Sequence, residues 1–442
     1  MRILYVIGGY GEEHLGGAIH RELALEIRAR GHDYQIVVPA QRESEKGPGA
    51  EAFEDDVPVH RLACGGRSTL DLVNRLGQPV FHFPWFLTFA HRLDRFLKSR
   101  PRFDVLIAEG AFPFGAIAWL ATRRSRTPYL VSVLGGDFLA NAAANYGYAR
   151  YALPRYLMRA SFRGAAIIRA ISPYAGDRAV ALGCRRERLA LVPRNIARDT
   201  FLPEGVDHRE FRRNARRRVG ERFALEGARL VVTVGRLLPI KGFDDLVRAI
   251  PGIVASSGDV RVIHVGPNRA DSRLGDYERH LGGIARTLGV GPRLAFAGAV
   301  SLEGVREFLA AADVAAVPSI EEGGNKTLLE AAAAGTPFVV TRTTGNADWA
   351  RSWNCGIIVE PSSPAELATA IARLLRDPAV ADAMGENGVR FANEFRTGRV
   401  ADRMLALCRV AAEGTALPED LRVPKELLRP SYKGGALRDE GS

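Results

Sequence analysis

The sequence predicts an α/β protein of two domains, each built on a parallel sheet with helices on both faces. Three observations carry this. The chain has 442 residues, longer than one ordinary domain. Short apolar runs alternate with longer amphipathic stretches through its first half, and the same alternation restarts in the second. Hydrophobic residues make up 47% and charged residues 25%, the balance of a chain that can bury sizeable cores.

Taken in order, Ile3–Ile7 reads as a strand, its apolar run too brief for the core of a signal peptide. Ala18–Arg30 reads as a helix stopped by Gly31, and Tyr34–Val38 as the next strand. The apolar runs Val105–Ala108, Tyr129–Val133, Ala166–Ile171 and Leu189–Val192 continue the pattern. A basic stretch, Arg209–Arg218, precedes the restart, which places a domain boundary near residue 200. Beyond it Leu230–Val234, Val260–Val265, Arg293–Ala297, Val314–Val317, Phe338–Thr341 and Gly356–Val359 are strand candidates. Helices are expected at Phe243–Ile250, Leu302–Ala311, Lys326–Ala334 and Pro364–Leu375.

The expected organisation is therefore a first Rossmann-like domain over 1–200 and a second over 201–395. A helical segment at 396–415 is expected to return to the first domain. A weakly ordered tail at 416–442 is read from its Pro, Gly and charge content. Two such sheets place a central cleft at the carboxyl ends of their strands.

The charge balance narrows the partners. Lys and Arg number 61 against 50 Asp and Glu, a formal net charge of +11. That favours an anionic partner such as a nucleotide, an acidic glycan or an anionic membrane surface, beside the plainer reading of solvated helix faces. No recognised nucleic-acid-binding module or RNA-stacking motif appears, so nucleic acid is not expected. Cys64, Cys184, Cys355 and Cys408 are widely spaced, which argues against a disulfide framework or structural zinc site. No apolar run approaches the ~18 residues that span a bilayer, and the cytoplasm is the expected compartment.

Two segments carry chemistry. In Pro318–Ala331 a strand ends at Val317, a turn containing Gly323 and Gly324 follows, and an Ala/Leu-rich helix begins near Asn325. Glycines let backbone amides approach a ligand, and the start of a helix favours negative charge, so a diphosphate is the natural guest. Glu330, inside that helix, can accept hydrogen bonds from two adjacent hydroxyls. In Val234–Phe243, Arg236 and Lys241 bring two cations beside a glycine-permitted turn, suited to a leaving diphosphate.

At these residues the chain resembles family four of the glycosyltransferases, which have the GT-B fold. The resemblance rests on VGRLLPIKGFDDLVRAI (234–250), AADVAAVPSIEEGGNKTLLEAAAAGTPFVV (311–340) and GIIVEPSSPAELATAI (356–371). In the first half it rests on GGAIHRELALEIRARGHDYQIVVP (16–39), AISPYAGDRAVALG (170–183) and LVPRNIARDTFLP (191–203). Several motifs occur in the right order and cover most of the chain to about residue 410.

The resemblance implies a retaining enzyme, without a resident cofactor, that takes a sugar from a UDP- or GDP-sugar to a glycan or lipid-linked acceptor. It implies that Glu322 contacts donor-sugar hydroxyls and that Glu330 holds the ribose. Arg236 and Lys241 would lie on the diphosphate. Gly323, Gly324 and Asn325 would offer amides to sugar and phosphate, and Gly16 and Gly17 would close on the phosphates and acceptor. The turn reads Gly-Gly-Asn-Lys where many relatives have Gly-Phe-Gly, and Lys326 is either a further phosphate contact or solvent-facing. Leu134 occupies a position where many relatives have a histidine near the reacting sugar, so that contact is absent or falls to His14, His20 or Asp137. Asp137 is equally readable as the cap of a helix starting at Phe138. The chain has no Asp-x-Asp, the metal-bridging pair of the other large glycosyltransferase class, so no divalent ion is expected.

Rival readings come from other classes. A dinucleotide-dependent oxidoreductase lacks its marks here, since Gly8-Gly9-Tyr10-Gly11 is no full GxGxxG and the second strand ends without an acidic residue. A non-catalytic sugar-nucleotide or glycan-binding subunit is the alternative that Leu134 keeps open. The aromatic run Phe81–Arg92 reads either as a membrane or acceptor surface or as a helix packed beneath the first sheet. Arg209–Arg218 and Arg150–Arg163 could likewise meet anionic lipid or face solvent.

Overall fold

Apolar runs buried on both faces become the strands of two sheets, and the order of those strands decides where a ligand can sit. The computed structural model describes residues 1–10, 17–40, 51–54, 56–64, 69–203, 205–268 and 276–423. The first sheet contains β1 (Arg2–Val6), β2 (Asp33–Ala40), β3 (Glu51–Glu54), β4 (Val57–Ala63), β5 (Val105–Glu109), β6 (Tyr129–Val133), β7 (Ile167–Ala170) and β8 (Leu189–Leu191). Their order is β3-β4-β2-β1-β5-β6-β7-β8, parallel except where β3 pairs antiparallel with β4. In β1, Ile3, Leu4, Tyr5 and Val6 are all fully buried, because helices cover both faces.

The second sheet contains β9 (Arg229–Val234), β10 (Val260–Val265), β11 (Leu294–Phe296), β12 (Val314–Val317), β13 (Phe338–Thr341) and β14 (Gly356–Val359). Its order is β11-β10-β9-β12-β13-β14, parallel throughout. The chain forms two compact units, Met1–Asn195 with Thr397–Ser442, and Ile196–Arg396. Helix Thr397–Glu413 belongs to the first, where Val400, Met404 and Leu407 join Leu23 and Ile27 in one core.

Several expectations need correction. Strand β4 escapes the apolar-run reading because Pro58, His60 and Arg61 interrupt it. The structure buries His60 by giving its Nε2 the Gln35 Oε1 at 2.9 Å and its ring the face of Phe96. The terminal segment is not a tail throughout. Leu417, Leu421 and Val423 are buried against the first unit and Arg422 bridges to Ala190, while 424–442 lie outside the described residues. Asp137 does not cap a helix: Phe138 sits in a turn.

Of the two readings of the aromatic run, the packed helix is the one that Phe86 and Phe89 bear out, since both point into the first core from helix Phe86–Ser99. The basic stretch forms helix His208–Phe223, and two of its arginines reach inward, while Arg209, Arg213, Arg217 and Arg218 are exposed. Arg212 donates to Gly335 O (3.0 Å), Thr336 Oγ1 (2.7 Å) and Ala312 O (3.1 Å), and Arg216 donates to Ala311 O (3.2 Å). They satisfy carbonyls at the ends of helices Leu302–Ala311 and Lys326–Ala333, which lack partners of their own.

Candidate active site

In the second sheet β9 and β12 are neighbours, with β10 and β11 on one side and β13 and β14 on the other. Such a reversal leaves a crevice at the carboxyl ends of the two central strands. The loops leaving them are the two motifs singled out above, 235–242 and 318–325. They interlock: Ile320 N donates to Ile240 O at 2.9 Å, and Thr327 Oγ1 to Val234 O at 3.1 Å. Gly242 has φ +66°, and a Cβ there would stand 2.0 Å from Pro318 O, so only glycine permits this approach.

Glu322 is held on every side. Lys241 Nζ lies 2.5 Å from Oε1, while Ser319 Oγ (2.9 Å) and Asn325 Nδ2 (2.6 Å) donate to Oε2. Its amide donates to Thr343 O and its carbonyl accepts from Gly345 N. The carboxylate is therefore preset and still about 19% exposed. Asn325 also caps the helix Lys326–Ala333 through Oδ1, which accepts from Leu328 N at 2.8 Å. Gly323 is buried and Gly324 half-buried between them. Glu330, 5% exposed, is paired with Lys326 Nζ at 2.8 Å, so Lys326 is the counter-charge of that carboxylate.

Arg236 is half-buried, and its guanidinium has no partner among the described residues. The Thr343 hydroxyl is buried without a partner among the same residues. Free cation, free hydroxyl, preset carboxylates and a helix start together suit an anion carrying a polyol. Sequence reasoning missed Ser319 and Thr343–Gly345, which hold Glu322 but belong to no pattern of their own.

The first sheet reverses between β1 and β5. Gly17 begins helix Gly17–Ala29 and is buried, while Gly16 and His14 lie outside the described residues. His20 is buried, and its Nε2 is 3.2 Å from Arg194 Nη2. Burial lowers its pKa to about 4, so it is a neutral acceptor at pH 7. Around it lies a buried network that the sequence did not reveal. Glu109 accepts from Tyr5 Oη, with Arg194 at 3.3 Å and Arg169 at 3.9 Å. Burial alone would raise the Glu109 pKa, but Arg194, His20, Arg169 and the Tyr5 hydrogen bond hold it below its ordinary value.

Leu134 is half-buried against the first core. Asp137 beside it fastens a turn: Ala111 N donates to Oδ2 at 2.6 Å, and Leu134 N (3.2 Å) and Gly135 N donate to Oδ1. Burial pushes its pKa up to about 6 despite those amides. The folded value lies above the ordinary 3.8, so this group contributes most below about pH 4 and that contribution is lost as pH rises through 6. Asp137→Asn should remove this slope from melting temperature against pH. It should also cost about 1–3 kcal/mol, because its amide would face the donor Ala111 N. An unchanged pH profile would show that Asp137 does not titrate there.

Next to this turn is a cavity of about 710 Å³ lined by Gln78, His82, Asn145, Tyr146, Tyr148, Arg150 and Tyr151. The His82 ring stacks on Tyr151 with centroids 3.5 Å apart. Helix Thr69–Phe81, which supplies Gln78, exposes Leu72, Leu76 and Val80 (50%, 73% and 55%) one helical turn apart.

Two parallel-sheet Rossmann-like units with a phosphate-suited switch point define the GT-B class of glycosyltransferases. Residues 16–195 match the "Glycosyl transferase 4-like domain" and 217–391 match "Glycosyl transferases group 1". The chain belongs to glycosyltransferase family four. It is 33% identical over 263 residues to the D-inositol 3-phosphate glycosyltransferase of Geodermatophilus obscurus, covering 59% of this chain and 56% of that one. It is 27% identical over 312 residues to the GDP-mannose-dependent alpha-(1-6)-phosphatidylinositol monomannoside mannosyltransferase of Mycolicibacterium smegmatis, covering 69% and 75%. The chain spans about half the length of several curated relatives that it matches (56%, 50% and 49%). Sucrose-phosphate synthase from Thermosynechococcus elongatus shares the fold with a TM-score of 0.73 at 19% identity, covering 94% of this chain and 100% of that one.

Proposed function

We propose that the chain is a retaining glycosyltransferase that moves a hexose-type sugar from a UDP- or GDP-sugar to a glycan or lipid-linked acceptor. The observation that carries this is the preset Glu322 carboxylate, ion-paired with Lys241, in interlocked loops that also bear the unpaired Arg236. Glu322 receives donor-sugar hydroxyls, and Glu330, ion-paired with Lys326, receives the ribose hydroxyls. Arg236 and Lys241 take the diphosphate, with amides of Gly323, Gly324 and Asn325 beside them. The leaving phosphate accepts the acceptor's proton on the face it departs from, so the protein orients the reactants and stabilises the growing phosphate charge. No divalent ion is required, because two fixed cations and a helix start supply that charge. Asp137, engaged by amides, acts by shaping the turn.

The relatives' names support this donor class, one of them being GDP-mannose-dependent. They also name inositol-containing acceptors. The first unit takes the acceptor. Its aromatic cavity suits the apolar face of a sugar or polyol ring, and the Leu72–Leu76–Val80 stripe suits a lipid tail or membrane surface at the cytoplasmic side. Among the described residues no helix is long and apolar enough to cross a membrane.

The test is a panel of UDP-, GDP- and ADP-sugars scored by thermal stabilisation and by transfer. One base should raise the melting temperature and support transfer that survives EDTA. Activity abolished by EDTA and restored by manganese would refute metal independence. Donor binding without transfer to any acceptor would favour a non-catalytic subunit, and no stabilisation by any nucleotide sugar would end the proposal.

A further inference from the structure

A second cavity, of about 750 Å³, lies at the other edge of the first sheet. Its walls include Tyr129 and Ile167, the first residues of β6 and β7, whereas the transfer chemistry belongs to the carboxyl ends of strands. Trp119, Val410 and Leu417 give it apolar surface. Four arginines line it, Arg123, Arg126, Arg188 and Arg422, against the single acid Glu187.

Two of these arginines already have local duties. Arg188 Nη1 donates to Arg163 O and Ala165 O at the end of helix Ala152–Gly164, and Arg123 lies over the Trp119 ring at 4.9 Å. Arg422 uses only Nε, on Leu417 O. Arg126 is exposed and its guanidinium has no partner among the described residues. The ends of three helices, at Ser125, Gly164 and Glu413, meet the cavity or stand next to residues lining it. Each helix end contributes about half a negative charge. Together they offset about half of the net positive charge of the side chains, so an excess of positive potential is left over an apolar floor.

We infer that this cavity is a second ligand site for a small phosphate monoester, with Arg126 and Arg422 on the phosphate and Trp119 and Leu417 on its organic part. The volume is that of a small-molecule pocket. The cavity is lined by the first unit alone, whereas the donor loops 235–242 and 318–325 belong to the second, so its occupant and the nucleotide sugar share no lining residue. It orders the wall Gly414–Arg422 and thereby the end of helix Thr397–Glu413.

The test is calorimetric titration of the full chain with adenosine monophosphate, glucose 6-phosphate and inorganic phosphate, alongside adenosine and glucose. Wild type and Glu330→Ala should bind a phosphate monoester equally. Arg126→Glu, which breaks no hydrogen bond of that side chain, and Arg126→Ala/Arg422→Ala should each weaken it at least tenfold while keeping nucleotide-sugar binding and melting temperature. Hydrogen exchange at 414–422 should slow on binding. Adenosine monophosphate or glucose 6-phosphate binding tighter identifies a nucleotide or a sugar phosphate as the source. Equal binding of the uncharged partners, loss of binding in Glu330→Ala, or no binding at millimolar concentration would overturn the inference. None of these results depends on whether transfer occurs.

Discussion

Lys241→Ala is expected to lower kcat by about 10²–10³-fold, with a smaller change in KM and little change in melting temperature. A preorganised cation aimed at developing phosphate charge acts mainly in the transition state, and removing one such donor costs a few kcal/mol of barrier. In the free protein Lys241 is already ion-paired with Glu322, and both side chains are less than one-fifth exposed. In the proposed function the substitution removes a phosphate contact, and in the structure it loosens the carboxylate, although Ser319 and Asn325 still hold Oε2. Lys241→Arg should restore only part of the rate, because a planar fork cannot occupy the point-charge position beside Glu322. Steady-state kinetics with the matched donor decide this. A fall in kcat below about threefold would mean that Lys241 serves only to brace Glu322.

The largest stability effect is expected in the first unit, where Glu109→Leu should cost about 3–5 kcal/mol. Arg169 is 1% exposed, and Glu109 is the acid beside it. Removing the acid leaves a buried cation whose remaining partners, Val192 O, Pro193 O and Ser132 Oγ, are neutral. Breaking one half of a buried pair is costly for this reason, whereas the double variant Glu109→Leu/Arg169→Leu should recover much of the loss.

The pH dependence has a definite sign. The folded pKa of Glu109 lies below its ordinary 4.5, so its contribution is present above pH 4.5 and is lost as pH falls through the folded value. Urea unfolding at pH 7 and pH 4 measures both effects. A loss under about 1 kcal/mol in the single variant would show that hydrogen bonds alone accommodate Arg169.

How much was legible can be judged from particular residues. Strands β12, β13 and β14 fall where apolar runs predict them, since a parallel strand buried on both faces has no polar side to blur its limits, and β6 and β10 do so although Ser132, Arg261 and His264 interrupt their runs. Strand β4 and helix Thr69–Phe81 were missed because their apolar residues are interrupted or exposed. Among the described residues, that helix carries an exposed apolar stripe of the first unit, whereas Phe86 and Phe89 of the aromatic run are buried.

In the candidate site, Arg236 and Lys241 could be named from their place in a glycine turn after a strand and Glu330 from the helix that follows the second such turn, whereas Glu322 was named through the resemblance. Their partners were invisible. Ser319, Thr343 and Gly345 act by proximity, and Arg169, Arg194 and Glu109 meet only because β5, β7 and the segment after β8 end at the same edge.

From the sequence alone came two repeated strand-helix alternations, the strands of each sheet other than β3 and β4, and the charged residues that leave them, because burial and turn chemistry are local. Tertiary structure decided strand order, and with it which loops share a crevice. It also decided which charges are paired, as with Lys326 on Glu330, and which remain free, as with Arg236. Pairing depends on distance between residues far apart in the chain, and periodicity carries no record of it.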